Sequence, residues 1–451
     1  QKYFLTASGR RDGSSRFYSD RWGTFGSIGL GWIVSKEDFF PQDSFVDYFK
    51  LKGSYGVIGD QGRSLQYGWQ IYNINQTADG AYSFTQSSNL ANRELTWETS
   101  KISQVGFESA FFNNRLLLDV DYYVKNTDNL FFSQSLPGSS GYQQIDYNDG
   151  QLRNKGFEFN ALIKVVETDD FNMSLNLNGE IFENEITEMA TDYFTGEPKV
   201  LDGRYSQGSS LYDWYMREWA GVNPATGAGM YNLYYDDING DGIFNAGDNA
   251  INSMTIYQDE FPNANIGKTT TETYSDATQK YVGKSAIPKV RGGFRLNAAY
   301  KNFDFTAQFS YSLGGYVYDS GYSVLMNNRS LIGTNNFHTD VRDAWKQPGD
   351  ITNVPRMTAG YNTDIQFNST STRFLTKADY LSLNNVRLGY NLPKSTISKA
   401  NLSDVSFYIS GDNLMMLSAR KGLNPTTLIS SSNSGIYMPM TTFSIGTKVQ
   451  F

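Results

Sequence analysis

Leu116-Leu117-Leu118-Asp119-Val120-Asp121-Tyr122-Tyr123-Val124-Lys125 decides the fold. Leu116, Leu118, Val120, Tyr122 and Val124 alternate with Leu117, Asp119, Asp121, Tyr123 and Lys125. A period of two places successive side chains on opposite faces of a strand, so one face is apolar and the other mostly charged or polar. The pattern recurs outward in both directions. Phe49, Leu51, Tyr55 and Val57 alternate with Lys50, Lys52, Ser54 and Gly56. Phe171, Met173, Leu175, Leu177 and Ile181 alternate with Asn172, Ser174, Asn176, Asn178 and Glu180. Such runs predict about twelve strands, near 2–10, 22–34, 48–57, 101–111, 116–125, 153–166, 170–182, 291–300, 303–313, 381–391, 403–411 and 441–451.

The connections between these runs alternate in length. Asn113-Asn114, Glu167 to Asp169 and Lys301-Asn302 are tight turns, while Ser35 to Asp47 and Leu392 to Leu402 are modest. Between them lie long segments near 58–100, 126–152, 183–290, 314–380 and 412–440. Outer-membrane barrels have short periplasmic turns and long extracellular loops. The expected fold is therefore an all-β transmembrane antiparallel barrel with the long segments outside the cell. Trp22, Trp32, Tyr55, Tyr300 and Tyr390 near strand ends suit aromatic girdles, although aromatics also favour strands generally.

Composition fits this class and excludes others. Charged residues are 19% of the 451, aromatics 15%, and there are 42 glycines. The chain has no cysteine, so neither disulfides nor thiolate chemistry are available. A net charge of −8 argues against a nucleic-acid partner. No apolar run reaches the length of a membrane helix, and the mean hydropathy is negative. A barrel passes that test undetected, because only alternate residues face lipid. Gln1 opens directly into a strand-like run, Tyr3 to Arg10, without the signal peptide that a secreted barrel requires, so a longer parent chain is expected.

Several stretches resemble the SusC/RagA-like TonB-dependent transporters of Bacteroidetes outer membranes. They are Leu5-Thr6-Ala7-Ser8-Gly9-Arg10 through Phe17, Trp22-Gly23-Thr24-Phe25 with Gly31-Trp32, and Leu51-Lys52-Gly53-Ser54-Tyr55-Gly56 through Gln61. Asn92-Arg93-Glu94-Leu95-Thr96-Trp97-Glu98-Thr99, Asn154-Lys155-Gly156-Phe157-Glu158, Tyr380 to Pro393, and Asp412-Asn413-Leu414 through Gly422-Leu423-Asn424-Pro425 to Phe451 continue the likeness. The resemblance implies a 22-stranded barrel around a plug, of which this chain supplies about twelve C-terminal strands. The other barrel strands, the plug and the segment that contacts the TonB complex are expected upstream. It also implies import of oligosaccharides or peptides together with a SusD-like surface lipoprotein. The alternative is a structural barrel subunit of an outer-membrane assembly in which transport has been lost.

The chemical motifs are few. Asp237-Ile238-Asn239-Gly240-Asp241-Gly242-Ile243-Phe244-Asn245-Ala246-Gly247-Asp248 matches a calcium loop of the EF-hand type. Asp237, Asn239, Asp241, the Ile243 carbonyl and Asp248 would supply the oxygens, and Gly242 the sharp turn. Asp248 stands where the longer Glu is usual, and a metal-free Asp/Asn/Gly turn is the competing reading. A calcium ion would clamp an extracellular loop. Tyr212, Asp213, Trp214, Tyr215 and Trp219 gather aromatic faces beside an acid, which suits a sugar ring, a peptide side chain or packing of the loop on itself. His338 is the single histidine, so multi-histidine zinc and His–Cys sites are excluded. Carboxylate pairs such as Asp236-Asp237 and Glu183/Glu185 are too common to single out a glycosidase pair. No enzyme is expected. The final strand should turn Phe443, Ile445, Thr447, Val449 and Phe451 to lipid, and Thr442, Ser444, Gly446, Lys448 and Gln450 to the lumen.

Overall fold

The computed structural model describes residues 1–41, 43–62, 68–192, 196, 198, 203–327, 336–357, 364–397, 402–426 and 438–450. It contains twelve long strands, one for each alternating run. They are β1 (Tyr3–Gly13), β2 (Trp22–Ile33), β3 (Val46–Asp60), β4 (Glu98–Phe111), β5 (Leu116–Ser135) and β6 (Gln144–Glu167). The series continues with β7 (Phe171–Glu188), β8 (Val290–Tyr300), β9 (Phe303–Leu313), β10 (Tyr380–Asn391), β11 (Asp404–Ser418) and β12 (Thr442–Gln450). None of the described helices is long and apolar enough to cross a membrane. The chain divides into two units. The first comprises Gln1–Lys199, Gln207–Ser209 and Phe294–Asp304, and the second holds the remainder.

In the first unit, β1 to β7 pair in chain order, each antiparallel to the next. The register explains the two-faced sequence. One lateral row across all seven strands reads Leu5, Leu30, Gly53, Val105, Tyr122, Phe157 and Ile181. Its apolar side chains lie on the surface, with Leu5 68%, Val105 60% and Ile181 46% exposed. The next row reads Tyr3, Trp32, Leu51, Phe107, Val120, Phe159 and Gly179. A continuous exposed apolar belt of this size needs an apolar solvent. On β5 it runs from Leu116 to Val124, about 26 Å along the strand at ~3.3 Å per residue. A tilt of about 40° lowers this to roughly 20 Å, near the height of an outer-membrane apolar band.

The opposite face of the same strands carries charge. Lys50 pairs with Glu108 at 2.9 Å, and Lys52 reaches Asp119 at 2.5 Å and Asp121 at 2.7 Å. The belt itself ends in ion pairs at the outer end, Lys155–Glu183 at 2.8 Å and Lys101–Asp128 at 2.6 Å. Those pairs mark where lipid gives way to water.

The 126–152 segment differs from expectation. It is mostly strand: β5 continues to Ser135, β6 begins at Gln144, and only residues 136–143 connect them. Beyond the belt the strands are covered by other segments of the chain: Ile145 and Tyr147 are 4% and 6% exposed, and Phe131 packs against the Phe17, Leu95 and Trp97 cluster. The apolar alternation therefore stops while the backbone ladder goes on, and a hydrophobic pattern cannot see that extension. β7 and β11 also outrun their expected ends, reaching Glu188 and Ser418.

In the second unit, β10, β11 and β12 pair antiparallel. Leu388, Ile409 and Ile445 form one exposed apolar row. Phe443, Thr447 and Val449 share the face of Ile445, while Lys448 lies on the other face and reaches Asp404 at 3.5 Å. Phe451 lies outside the described residues. Apart from most of β9 and the first residues of β8, the remainder of this unit is the folded content of the long connections.

Candidate functional site

The 183–290 segment holds a small sheet. Gly229–Asp236 is its centre, paired with Trp219–Val222 and Asn249–Ile251, and with Ile266–Thr271 on the other side. The central strand alternates Tyr231, Leu233 and Tyr235, all buried, with Met230, Asn232 and Tyr234. It leads directly into the calcium-loop sequence. Asp236 stands opposite Asn249, so residues 237–248 form a closed hairpin loop of twelve residues.

Nested side-chain turns shape that loop. Asp237 is only 7% exposed, and its carboxylate accepts the N–H groups of Asp241 at 3.1 Å and Gly242 at 2.9 Å. Asn239 Oδ1 accepts from Asp241 N, and Asp241 Oδ1 accepts from Ile243 N. Gly240 and Gly242 take φ values of 72° and 74°, left-handed conformations that glycine reaches without strain. Asn245 donates to Asp241 Oδ2 and to the Ile243 carbonyl, both at 2.9 Å. Asp248 Oδ2 accepts from Asn245 N, whereas Asp248 Oδ1 is buried without a hydrogen-bond partner. Burial, and then the carboxylates of Asp237, Asp248 and Asp241, push the Tyr235 hydroxyl above its usual range. Among the described residues, no group of three or more His, Asp or Glu side chains is gathered as a metal site in this conformation. The sequence reading passed over Asn245, ninth from Asp237, although that position belongs to the loop pattern. It also passed over Asn265, just before the Ile266–Thr271 strand, which donates to the Asp237 carbonyl.

The aromatic candidates do not converge on one point. Tyr212 gives its carbonyl to Ala286 N, and Asp213 accepts from Ser210 N. Trp214 donates Nε1 to the Tyr316 carbonyl at 3.1 Å and packs on the core of Met216, Tyr318, Met326, Phe374 and Leu375. Tyr215 meets Tyr281 edge-on at 5.0 Å and bonds Ser253 Oγ at 2.7 Å. Trp219 meets Tyr231 edge-on at 5.3 Å and donates Nε1 to Asn353 at 2.7 Å.

Composition alone gave no sign of two half-buried arginine arrangements here. Arg373 lies over Trp219 at 4.9 Å and Phe374 at 4.8 Å, and donates to the Phe367 carbonyl and Asn368 Oδ1. Burial pulls its guanidinium down to about 10, against a weaker upward pull from Tyr231, Tyr322 and Tyr318. Asp319, 2% exposed, caps the Ser320–Leu325 helix and pairs with Arg420. His338 caps the turn Thr339–Asp343 by accepting Asp340 N at Nδ1, a structural role.

On the polar face of the first unit, a concavity of about 380 Å³ is lined by Phe4, Thr6, Lys50, Lys52, Gln104 and Asp121. It opens where Gly29 and Gly31 leave that face without side chains.

No family model matches the chain. It is 27% identical over 468 residues to TonB-dependent receptor P3 of Formosa agariphila, covering 100% of this chain and 44% of that protein. It is 28% identical over 467 residues to TonB-dependent receptor SusC of Bacteroides thetaiotaomicron, covering 100% of this chain and 42% of that protein. Among solved structures, the RagAB peptide importer in its closed-closed state superposes with a TM-score of 0.79 at 24% identity, over 100% of this chain and 46% of that one. The chain spans less than half the length of these relatives. These relatives are TonB-dependent receptors and a peptide importer.

Proposed function

Taking the chain as a SusC/RagA-like TonB-dependent receptor barrel of the Gram-negative outer membrane, we propose that it forms wall and extracellular loops of an importer for oligosaccharides or peptides. The observation that carries this reading is the two-faced wall. An exposed apolar belt crosses seven strands, and Lys50, Lys52, Glu108, Asp119 and Asp121 line the reverse face. A charged inner wall suits a lumen that is wet and plugged rather than apolar. Folded loops at the outer end supply surface for substrate capture. The importer works with a SusD-like surface lipoprotein, and a plug and TonB-contacting segment carried elsewhere in the full-length protein couple it to energy. Calcium belongs to the same reading: the ion would enter the Asp237–Asp248 loop, draw Asp241 and Asp248 inward, use the partnerless Asp248 Oδ1, and stiffen the loop.

Deleting the full-length gene should abolish growth and uptake on one oligosaccharide or peptide nutrient, with restoration by the intact gene. Unchanged uptake across the whole panel would instead favour the second reading, a structural barrel without transport.

A further inference from the structure

The chain holds two Asn-Gly steps, Asn178-Gly179 and Asn239-Gly240. An asparagine amide is thermolabile, and most so before glycine, which has no side chain to shield its nitrogen. The fold treats the two steps differently. Asn178 and Gly179 lie inside β7, opposite Asn160 and Phe159 of β6. Gly179 is buried and stands in the lateral row of Phe159, Val120 and Phe107 within the apolar belt. A paired, extended backbone does not fold its next nitrogen onto its own side chain, and lipid keeps water away. Reaction at Asn178 therefore requires the ladder to open.

The Asn239-Gly240 step is open. Both residues are exposed, and Gly240, at φ 72°, has nothing within 4 Å of the place a Cβ would take. The N–H groups of Asp241, Gly242 and Ile243 are each held by a side-chain oxygen of the loop. Among the described residues, the Gly240 N–H makes no hydrogen bond. Its nitrogen is free to act as a nucleophile. The same turn prepares the electrophile. Asn239 Oδ1 accepts Asp241 N–H at 2.9 Å, which polarises the carboxamide and stabilises the oxyanion formed on attack. The leaving nitrogen, Nδ2, is restrained by a long contact of 3.4 Å to Asn245 Oδ1.

We propose that Asn239 is a site of spontaneous deamidation through a cyclic imide, and that the barrel wall protects Asn178 from the same reaction. Water or hydroxide takes the Gly240 amide proton, and Gly240 N bonds to Asn239 Cγ. The Cγ–Nδ2 bond then breaks and ammonia leaves. Water opens the five-membered ring at either carbonyl. Opening at Cγ returns aspartate, and opening at the Asn239 main-chain carbonyl carbon leaves isoaspartate, with the chain running through Cγ. Either product adds a negative charge to the loop of Asp237, Asp241 and Asp248. Aspartate keeps the acceptor oxygen for Asp241 N–H, whereas isoaspartate lengthens the main chain by a methylene and breaks that turn. The inference does not depend on what the protein transports.

The test ages the full-length protein, folded in detergent, in mildly alkaline buffer at growth temperature. Peptide mapping by mass spectrometry then follows both steps and separates aspartate from isoaspartate. Acid at position 239 should accumulate at least tenfold faster than at position 178, with isoaspartate exceeding aspartate. In a urea-unfolded sample the two rates should converge. Asn239→Gln, whose longer side chain closes the ring poorly, should convert at least tenfold more slowly than Asn239. No acid at position 239, or equal rates at the two positions in the folded protein, overturns the proposal. Acid at position 239 without isoaspartate, or an undiminished rate in Asn239→Gln, overturns the imide route. A position 178 that stays slow in urea overturns protection by the wall.

Discussion

Lys52 and Asp121 stand two strands apart with Gly106 directly between them, and the lysine crosses that gap to reach the carboxylate at 2.7 Å. The pair exists because Gly106 has no side chain: a Cβ there would collide with the Val120 carbonyl and the Asp121 carboxylate. Gly106→Val should therefore destabilise the barrel by about 1–3 kcal/mol through overpacking alone, and break the bridge as well. Asp119→Ala should cost below ~1 kcal/mol, because its carboxylate is half exposed and Lys52 keeps Asp121. Urea unfolding in detergent micelles reads both. Equal effects would refute the bridging role of Gly106.

Exchange of the two faces is expected to be all-or-none. Val105→Lys places a charge in the belt and should cost about 2–4 kcal/mol near mid-depth. Gln104→Lys, one residue away on the charged face, should be close to neutral. Folding into liposomes of stepped urea concentration measures the difference. Similar penalties at the two positions would mean that the belt does not face lipid.

For the twelve-residue loop, millimolar calcium should raise the thermal midpoint of the protein, with magnesium giving little. Asp237→Ala and Asp248→Ala should each remove the calcium increment while the apolar belt still inserts. No calcium-dependent shift in the wild type would end the metal proposal and leave the loop as a metal-free turn.

Glu218 provides a pH signature. Burial by itself would raise its carboxyl, but hydrogen bonds from Asn232 and Tyr234, with Lys280 and Lys268 nearby, outweigh that and hold it below the ordinary range. A depressed folded value stabilises above the unfolded value of about 4.3 and is lost as pH falls through the folded one. The small sheet should loosen on acidification below roughly pH 4. Glu218→Gln should flatten that dependence, read by hydrogen exchange across residues 219–236. An unchanged acid profile in the variant would exclude Glu218 as its source.

Much of the wall was legible in the sequence because lipid imposes a simple rule. Each buried-in-lipid position must be apolar, and the period of a strand is two, so Leu116 to Val124 could be read without a structure. The rule ends at Lys101, Lys155 and Glu183, and so did the reading: the outer halves of β5 and β6 meet other parts of the chain instead of lipid, where polar Gln134 and apolar Ile145 and Tyr147 are buried alike. The Asp237 loop was legible for a different reason, since local turns are built from adjacent residues. Asn265 and the stacking of Arg373 on Trp219 were not, because Asp237 and Trp219 lie far from them in the chain and no short spacing announces the contact. The Tyr212–Trp219 stretch was visible as aromatic, but its neighbours, Tyr231, Tyr281 and Tyr316, come from elsewhere.

The extension of β5 and β6 has a mechanical consequence. From Val124 to Ser135 the paired strands continue about 36 Å past the belt at ~3.3 Å per residue, as one ladder with the wall below. Near its tip, Asn89 and Leu90 pair in parallel with Gln144 and Ile145, tying in the segment that follows the Tyr72–Gln86 hairpin. A load on that hairpin is thus anchored within three residues to a stiff lever rooted in the barrel. A pull or tilt applied outside the cell would arrive at Tyr122 and Phe157 as torque on the wall, without passing through a slack loop.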